Sequence, residues 1–203
     1  MAAVLLAAGE GTRFRGGPKL LAELRGRPLL AWAIDPVLEA GLPLVVVRGQ
    51  VDLAGALPAR EAGVTVLENP RAHEGQATSL SAGIAWCHAS GFDAAVVGLG
   101  DQPMVPASAW RAVAASGLAP IVTASFAGRR RPPVRLDREI WPLLPEAGDE
   151  GARALMLRRP DLVAEVACEG DPFDVDTLSD LVAHERRHGS GRSSTDGARE
   201  QWS

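Results

Sequence analysis

The chain has 203 residues, 46% of them hydrophobic and 23% charged, and a formal net charge of -4 at pH 7. This length and composition predict one soluble globular domain with a substantial core. The acidic balance disfavours a general nucleic-acid binder, because such proteins usually carry a basic excess. Cys87 and Cys168 are far apart, so they predict neither a disulfide framework nor a zinc site and fit a reducing compartment.

The apolar run at residues 1–8 has no basic segment before it and is too short for a signal peptide or a membrane span. We therefore expect a cytoplasmic protein that has neither a membrane nor nucleic acid as a partner.

Strand-like and helix-like runs alternate along the chain. The predicted strands are 2–7, 44–48, 64–67, 94–98 and 120–125, and the predicted helices are 29–40, 78–89, 108–116 and 178–184. Pro36 is expected to kink or break the first helix. This alternation predicts an α/β fold, a three-layer α/β/α sandwich in which helices cover both faces of a mostly parallel sheet.

The last part of the chain differs in composition from the rest. From Arg186 onward it is polar, rich in Gly and Ser, and without apolar periodicity. We expect a single domain over residues 1–185 and a disordered tail over residues 186–203.

A glycine-containing turn follows the first predicted strand. Gly9 and Gly11 allow close approach of the backbone to a ligand, and their amides can point at an anion. Arg13 and Lys19 add cations soon afterwards. The segment therefore suggests a site for a nucleoside triphosphate, and the alternative is an ordinary strand-to-helix turn with surface cations.

Two standard glycine motifs do not match this turn. A P-loop requires Ser or Thr after its lysine, but Leu20 follows Lys19. A dinucleotide fingerprint requires a third glycine where this chain has Phe14, and an acid where the second predicted strand ends in Arg48. A Rossmann dehydrogenase is therefore disfavoured.

Carboxylates occur at two further positions that could bind a metal. Asp101 follows a predicted strand, where it could hold Mg²⁺ or simply form a turn before Pro103. Asp174 and Asp176 would point the same way in an extended segment and could share a cation. Alternatively, Asp176 or Thr177 caps the helix that follows, and both interpretations are compatible.

Residues His184, Glu185 and His188 match the H-E-x-x-H pattern of zinc metalloproteases. In that pattern two histidines one helical turn apart bind zinc and the glutamate acts as a base. Here Gly189 and a Ser/Gly-rich segment follow at once, which favours a chance match on a solvated helix.

A series of segments resembles a known family in the same order along the chain. The family comprises nucleotidyltransferases of the type that includes molybdenum cofactor cytidylyltransferase and guanylyltransferase. The segments are LLAAGEGTRF at 5–14, PKL at 18–20, GRPLL at 26–30, ENP at 68–70, GQATSLSAG at 75–83, GDQPMV at 100–105, GDEGAR at 148–153 and DVDT at 174–177. The resemblance implies a Rossmann-like nucleotidyltransferase fold and covers nearly the whole predicted domain.

The resemblance also implies a reaction. A nucleoside triphosphate gives its nucleoside monophosphate to a phosphate on an acceptor, and pyrophosphate is released. The attack brings anions together, so positioning and charge neutralisation can supply most of the catalysis. No side-chain nucleophile is needed.

By the same resemblance, the nucleotide would be bound by Ala7, Ala8, Gly9, Gly11 and Thr12, with Gly75 and Ser79 near the base. Arg13 and Lys19 would neutralise charge on the phosphates. Asp101 and Asp176 would hold Mg²⁺, with Asp174 as a weaker candidate.

The nucleotide and the acceptor are suggested by smaller differences. Ala8 stands where guanylyl-transferring relatives typically have glycine, which favours CTP. The cytidylyl relatives often carry Gly-His-Pro where this chain has residues 131–133, Arg-Pro-Pro. The basic run 129–131 could bind an anionic acceptor such as a pterin phosphate, or be a solvated loop.

We therefore expect a Mg²⁺-dependent, CTP-using transferase for molybdopterin, which could deliver its product to a molybdoenzyme or its chaperone. Three alternatives remain open. The acceptor could be a phosphosugar, a phospholactate or a methylerythritol phosphate. The chain could be an inactive nucleotide-binding module, or, more remotely, a zinc hydrolase.

Overall fold

The structure is a computed structural model that describes residues 1–9, 11, 14, 17–58 and 63–189, with residues 184–189 described by backbone alone. Over these residues the strands are β1 (Ala2–Ala7), β2 (Glu23–Leu24), β3 (Arg27–Pro28), β4 (Leu44–Arg48), β5 (Val64–Glu68), β6 (Ala94–Leu99), β7 (Ile121–Phe126), β8 (Arg129–Asp137) and β9 (Val163–Ala167). The helices are α1 (Leu29–Glu39), α2 (Gln76–Ala89), α3 (Ala107–Ala115), α4 (Ala152–Arg158) and α5 (Leu178–Gly189).

Seven of these strands form one sheet in the order β5-β4-β1-β6-β8-β7-β9. The first four are mutually parallel, β7 and β9 are parallel to each other, and β8 is antiparallel to both of its neighbours. Helices cover both faces. The predicted three-layer α/β/α sandwich with a mostly parallel sheet is therefore confirmed.

Strand β1 lies at the centre of the core, and all six of its residues are buried. Leu5 belongs to the core on one face, together with Leu30 and Ile34 of α1. Val4 belongs to the core on the other face, together with Leu80 of α2. Burial on both sides explains why this strand is uniformly apolar instead of alternating.

The sequence analysis did not predict β8, and its alternative of a solvated loop for residues 129–131 is wrong. These arginines begin β8 and pair with the end of β7. Pro132 and Pro133 fall where the register between β7 and β8 shifts, so their missing N–H groups remove no ladder bond. Short-range rules treat paired prolines as strand breakers, so they did not predict β8.

Helix α1 does not break at Pro36, because the helix continues through it to Glu39. Pro36 lies in the last turn, and the buried residues Ile34 and Val37 flank it. Packing of these side chains against the sheet offsets the loss of a single backbone hydrogen bond. Among the described helices, none combines the length and the apolar character needed to cross a membrane.

Candidate active site

The candidate site begins where β1 and β6 end side by side. The two strands are parallel and their register pairs Leu6 with Leu99, so both following turns start at the same edge of the sheet. The Gly100 amide donates a hydrogen bond of 2.9 Å to the Leu6 carbonyl. Gly100 also packs tightly there, because a Cβ on it would come within 3.3 Å of the Ala7 Cβ. The Asp101 side chain is thereby held beside the glycine turn after β1.

The segment before α5 is attached to the Asp101 turn by two hydrogen bonds. The Val175 amide donates to the Asp101 carbonyl at 3.0 Å. The buried Gln102 donates from Nε2 to Asp174 Oδ1 at 2.8 Å. Val175 is fully buried, so Asp174 and Asp176 on either side of it project away from the core, as expected for an extended segment.

Thr177, not Asp176, caps α5. The Asp180 amide donates to Thr177 Oγ1 at 3.2 Å, and the Thr177 amide donates to Asp180 Oδ2 at 2.8 Å. This reciprocal pair is a capping box. The expected helix cap is therefore made by Thr177, and the binding of a cation by Asp174 and Asp176 stays a prediction.

Lys19 joins the two carboxylates. Its Nζ lies 2.6 Å from Asp101 Oδ2 and 3.2 Å from Asp176 Oδ1. The Lys19 side chain is only 11% exposed, so water screens these ion pairs weakly. Burial by itself would lower the pKa of Lys19, but the charges and hydrogen bonds of Asp101 and Asp176 outweigh burial, and the pKa is raised.

These residues fit a divalent cation. The two carboxylates already converge on one positive charge, and oxygen donors of this kind suit Mg²⁺, which usually takes only one or two carboxylates and completes its shell with water and substrate phosphates. Across the described ranges, no group of three or more His, Cys, Asp or Glu side chains converges on one point. Asp101 and Asp176 are the residues that would hold such a metal.

The site opens into a cleft of about 610 Å³. Among the residues predicted from the resemblance, the cleft is lined by Ala8, Gly9, Gly11, Lys19, Gly75, Ser79, Asp101 and Asp176. Ala7 ends β1 and is buried in the core instead. The predicted residues Thr12 and Arg13 lie outside the described residues.

The sequence analysis missed three polar residues that also line this cleft, His73, Gln76 and Asp149. Asp149 lies in the GDEGAR segment, which carried the resemblance without an assigned role. That segment reaches the cleft because the Ala77 amide donates to the Gly148 carbonyl at 2.9 Å. The start of α2 and the 148–149 loop therefore form one wall.

A second cleft, of about 870 Å³, adjoins the first and shares Leu6, Gln76, Leu99 and Asp149 with it. Its apolar lining residues are Leu6, Leu80, Val97, Leu99, Val134, Met156 and Leu157, and its basic ones are Arg130, Arg131 and Arg153. Its acidic lining residues are Asp149, Glu150 and Asp174. Burial raises the pKa of Asp174 and the charge of Asp101 raises it further, whereas the hydrogen bond from Gln102 lowers it.

The H-E-x-x-H match lies within α5, but the side chains of His184, Glu185 and His188 are outside the described residues. The predicted tail is outside them from residue 190 onward. Both predictions therefore stay predictions.

Comparison with known proteins identifies the family. Residues 3–163 match the MobA-like NTP transferase domain. The molybdenum cofactor guanylyltransferase of Acidiphilium cryptum (strain JF-5) is 36% identical, over 90% of this chain and 93% of that protein. The nicotine blue oxidoreductase of Paenarthrobacter nicotinovorans is 30% identical, over 88% and 93% of the two chains.

A solved structure agrees with these matches over almost the whole chain. The crystal structure of Rv0371c from Mycobacterium tuberculosis H37Rv in complex with manganese superimposes with a TM-score of 0.72 at 28% identity, over 93% of this chain and 98% of that one. The fold and the cluster of Lys19, Asp101 and Asp176 agree with these matches. The chain belongs to the MobA-like NTP transferase family.

Proposed function

We propose that this chain transfers a nucleoside monophosphate from a nucleoside triphosphate to a phosphorylated acceptor and releases pyrophosphate. The favoured nucleotide is CTP in preference to GTP, and the favoured acceptor is molybdopterin. One observation carries the proposal. Lys19, Asp101 and Asp176, from three distant chain segments, meet within 3.2 Å at the mouth of a cleft. This arrangement suits the neutralisation of a polyphosphate.

The transfer between two phosphates requires the protein mainly to neutralise charge and to position the reactants. When two phosphates react, the positive charge of Lys19 lowers the repulsion between them, and the glycine turn brings backbone amides to the same anions. Asp101 and Asp176 would hold Mg²⁺, which supplies further neutralisation of phosphate oxygens when bound. The manganese complex of the relative Rv0371c supports a test for a divalent metal.

The choice of nucleotide rests on Ala8, which lines the cleft where guanylyl-transferring relatives typically have glycine. A relative named as a guanylyltransferase, 36% identical, makes GTP the necessary comparison. The second cleft supports an acceptor that has an apolar body and an anionic end, because apolar residues line it together with Arg131 and Arg153.

The first test is a pyrophosphate-release assay with Mg²⁺, four nucleoside triphosphates and a panel of acceptors. The panel contains molybdopterin, a phosphosugar, a phospholactate and methylerythritol phosphate. We expect release with CTP and molybdopterin, and loss of release when EDTA removes the metal.

Asp101→Asn should lower turnover by about 100-fold or more, because the amide keeps the shape but not the charge that a metal or Lys19 requires. Asp93→Asn is the matched control, since the Asp93 side chain is 86% exposed and pairs only weakly with Arg138 on the surface. Equal turnover of Asp101→Asn and wild type would contradict the assignment of Asp101.

The relative named nicotine blue oxidoreductase favours one further candidate, a redox activity, because the similarity extends over 88% of this chain. Reduction of a dye by a nicotinamide donor, without pyrophosphate release from any triphosphate, would support it.

Two other outcomes would support the remaining alternatives. Triphosphate binding without turnover of any acceptor would support an inactive binding module. Stoichiometric zinc that is lost in His184→Ala would support a hydrolase.

A further inference from the structure

We propose that Asn69, which does not line the cleft, orients Ser79 so that its hydroxyl donates a hydrogen bond to the nucleobase, and that the site therefore selects a base edge with a hydrogen-bond acceptor. This inference rests on the proposed function, which assigns a nucleotide to the cleft. Asn69 would be a positioning residue, because it acts through Ser79.

The orientation of the Asn69 amide is determined by a backbone group. Its Oδ1 accepts a hydrogen bond of 3.0 Å from the Arg71 amide, and a backbone N–H can only donate. A flipped side chain would face this N–H with its own NH₂ group. The NH₂ group of Asn69 must therefore point toward α2.

Both hydrogens of that NH₂ group are used in α2. One is donated to Thr78 Oγ1 at 2.9 Å and the other to Ser79 Oγ at 3.0 Å. Asn69 and Thr78 are each 5% exposed and Ser79 is 3% exposed, so water does not compete for these bonds. An uncompensated polar group here would be costly, which makes the direction of each bond well defined.

The two hydroxyl groups differ in where their own protons go. The single Thr78 proton has two backbone carbonyls as acceptors, Arg71 O at 2.8 Å and Gly75 O at 2.9 Å. Ser79 has no acceptor for its proton among the described residues, although its oxygen accepts from Asn69. Because Ser79 lines the cleft, that proton is available to a bound ligand.

A donor aimed into a cleft discriminates between ligands by the group that meets it. A carbonyl oxygen or an unprotonated ring nitrogen accepts the Ser79 proton, whereas an amino group can only donate to the second lone pair of Ser79 and leaves that proton without an acceptor. Cytosine and guanine both present such acceptors. Asn69 thus sets the polarity of the site without touching the base.

The test uses Asn69→Asp, which keeps the shape but can only accept when ionised. The Ser79 proton should then turn toward the new carboxylate, and the hydroxyl should present lone pairs to the ligand. We expect the affinity for CTP or GTP, whichever wild type prefers, to fall about tenfold, the effect of losing one good hydrogen bond. The affinity for ribose 5-triphosphate, which lacks a base, should not change.

Ser79→Ala should lose the same preference for the base, and the double variant should be no worse than either single variant. Thr78→Val is the matched control, because it disturbs the same network and leaves the bond from Asn69 to Ser79 intact. It should lower the melting temperature but keep the preference for CTP or GTP over ribose 5-triphosphate in calorimetric titrations.

Equal loss of affinity for the nucleotide and for ribose 5-triphosphate in Asn69→Asp would overturn the inference, since it would show a structural role alone. So would a wild-type protein that has no preference for a base. Wild type that binds CTP selectively but releases no pyrophosphate with any acceptor would overturn the proposed transfer, while the same binding series still decides the role of Asn69.

Discussion

At the scale of single residues, the Lys19 ammonium stands between the two carboxylates that could hold a metal. Its partners Asp101 and Asp176 lie 82 and 157 positions away in the chain. The ammonium keeps the carboxylates together and limits their mutual repulsion. A triphosphate would offer Lys19 another anion, which would free the carboxylates for a cation.

Replacing Lys19 tests this competition. Lys19→Met should bind Mn²⁺ several-fold more tightly than wild type in the absence of nucleotide, because the Lys19 ammonium no longer competes for the carboxylates. It should also lose about 100-fold or more in turnover, because the phosphates lose a positive charge. Calorimetric titration with Mn²⁺ measures the first effect, and an unchanged or weaker affinity would show that the ammonium does not compete.

The signals at this scale were partly visible in the sequence. Asp101 and Asp176 could be proposed because carboxylates at the carboxyl end of a strand or in an extended segment can hold a cation, and because both residues lie in segments that resemble the family. Gln102 and Asn69 could not be assigned their roles, because their partners Asp174 and Ser79 are known only once the chain is folded.

At the scale of elements, the start of α2 and the 148–149 loop depend on one backbone conformation. Gly75 has a φ of 111°, which side-chain-bearing residues rarely adopt, and a Cβ on it would lie 2.5 Å from the Gly148 carbonyl oxygen. The absence of a side chain at Gly75 therefore allows the start of α2 to pack against the 148–149 loop.

Gly75→Ala should destabilise the protein by about 1–3 kcal/mol and raise the KM for the nucleotide, since the loop must move away from α2. Gly117→Ala is the control, because a Cβ there meets no atom within 4 Å. Urea unfolding and steady-state kinetics measure the two effects. Equal stability of Gly75→Ala and wild type would mean that the wall tolerates a side chain.

At the scale of the whole molecule, the stability of the fold depends on keeping the core uncharged. Cys87 lies on the buried face of α2, in the core that contains Val4 and Leu80, and it is fully buried. Burial raises the pKa of its thiol to about 11. The folded protein therefore holds a proton that the unfolded chain releases at lower pH.

The sign of this linkage predicts a loss of stability at alkaline pH. The contribution is complete below the ordinary thiol pKa of about 8.5, and it is lost as pH rises through that value toward 11. The free energy of unfolding of Cys87→Ala should therefore depend less on pH over this window than that of wild type. Parallel slopes in urea titrations of the two proteins would refute the expectation.

The sequence by itself determined the fold class, most of the strands and the turns that end β1 and β6. Each of these follows from short-range rules, such as apolar runs of strand length, helical periodicity and glycine in turns, that need no knowledge of distant residues. The family resemblance added the candidate residues, and the preference for CTP stays a prediction.

Only the tertiary structure decided how these pieces meet. Strand β8 forms although it contains Pro132 and Pro133, because a register shift places both prolines outside the hydrogen-bond ladder between β7 and β8. Lys19 meets Asp101 because parallel strands bring distant turns to one edge of the sheet, whereas Asn69 meets Ser79 across the connection from β5 to α2. Pairing across such separations depends on packing of the whole core, which no local pattern in the chain encodes.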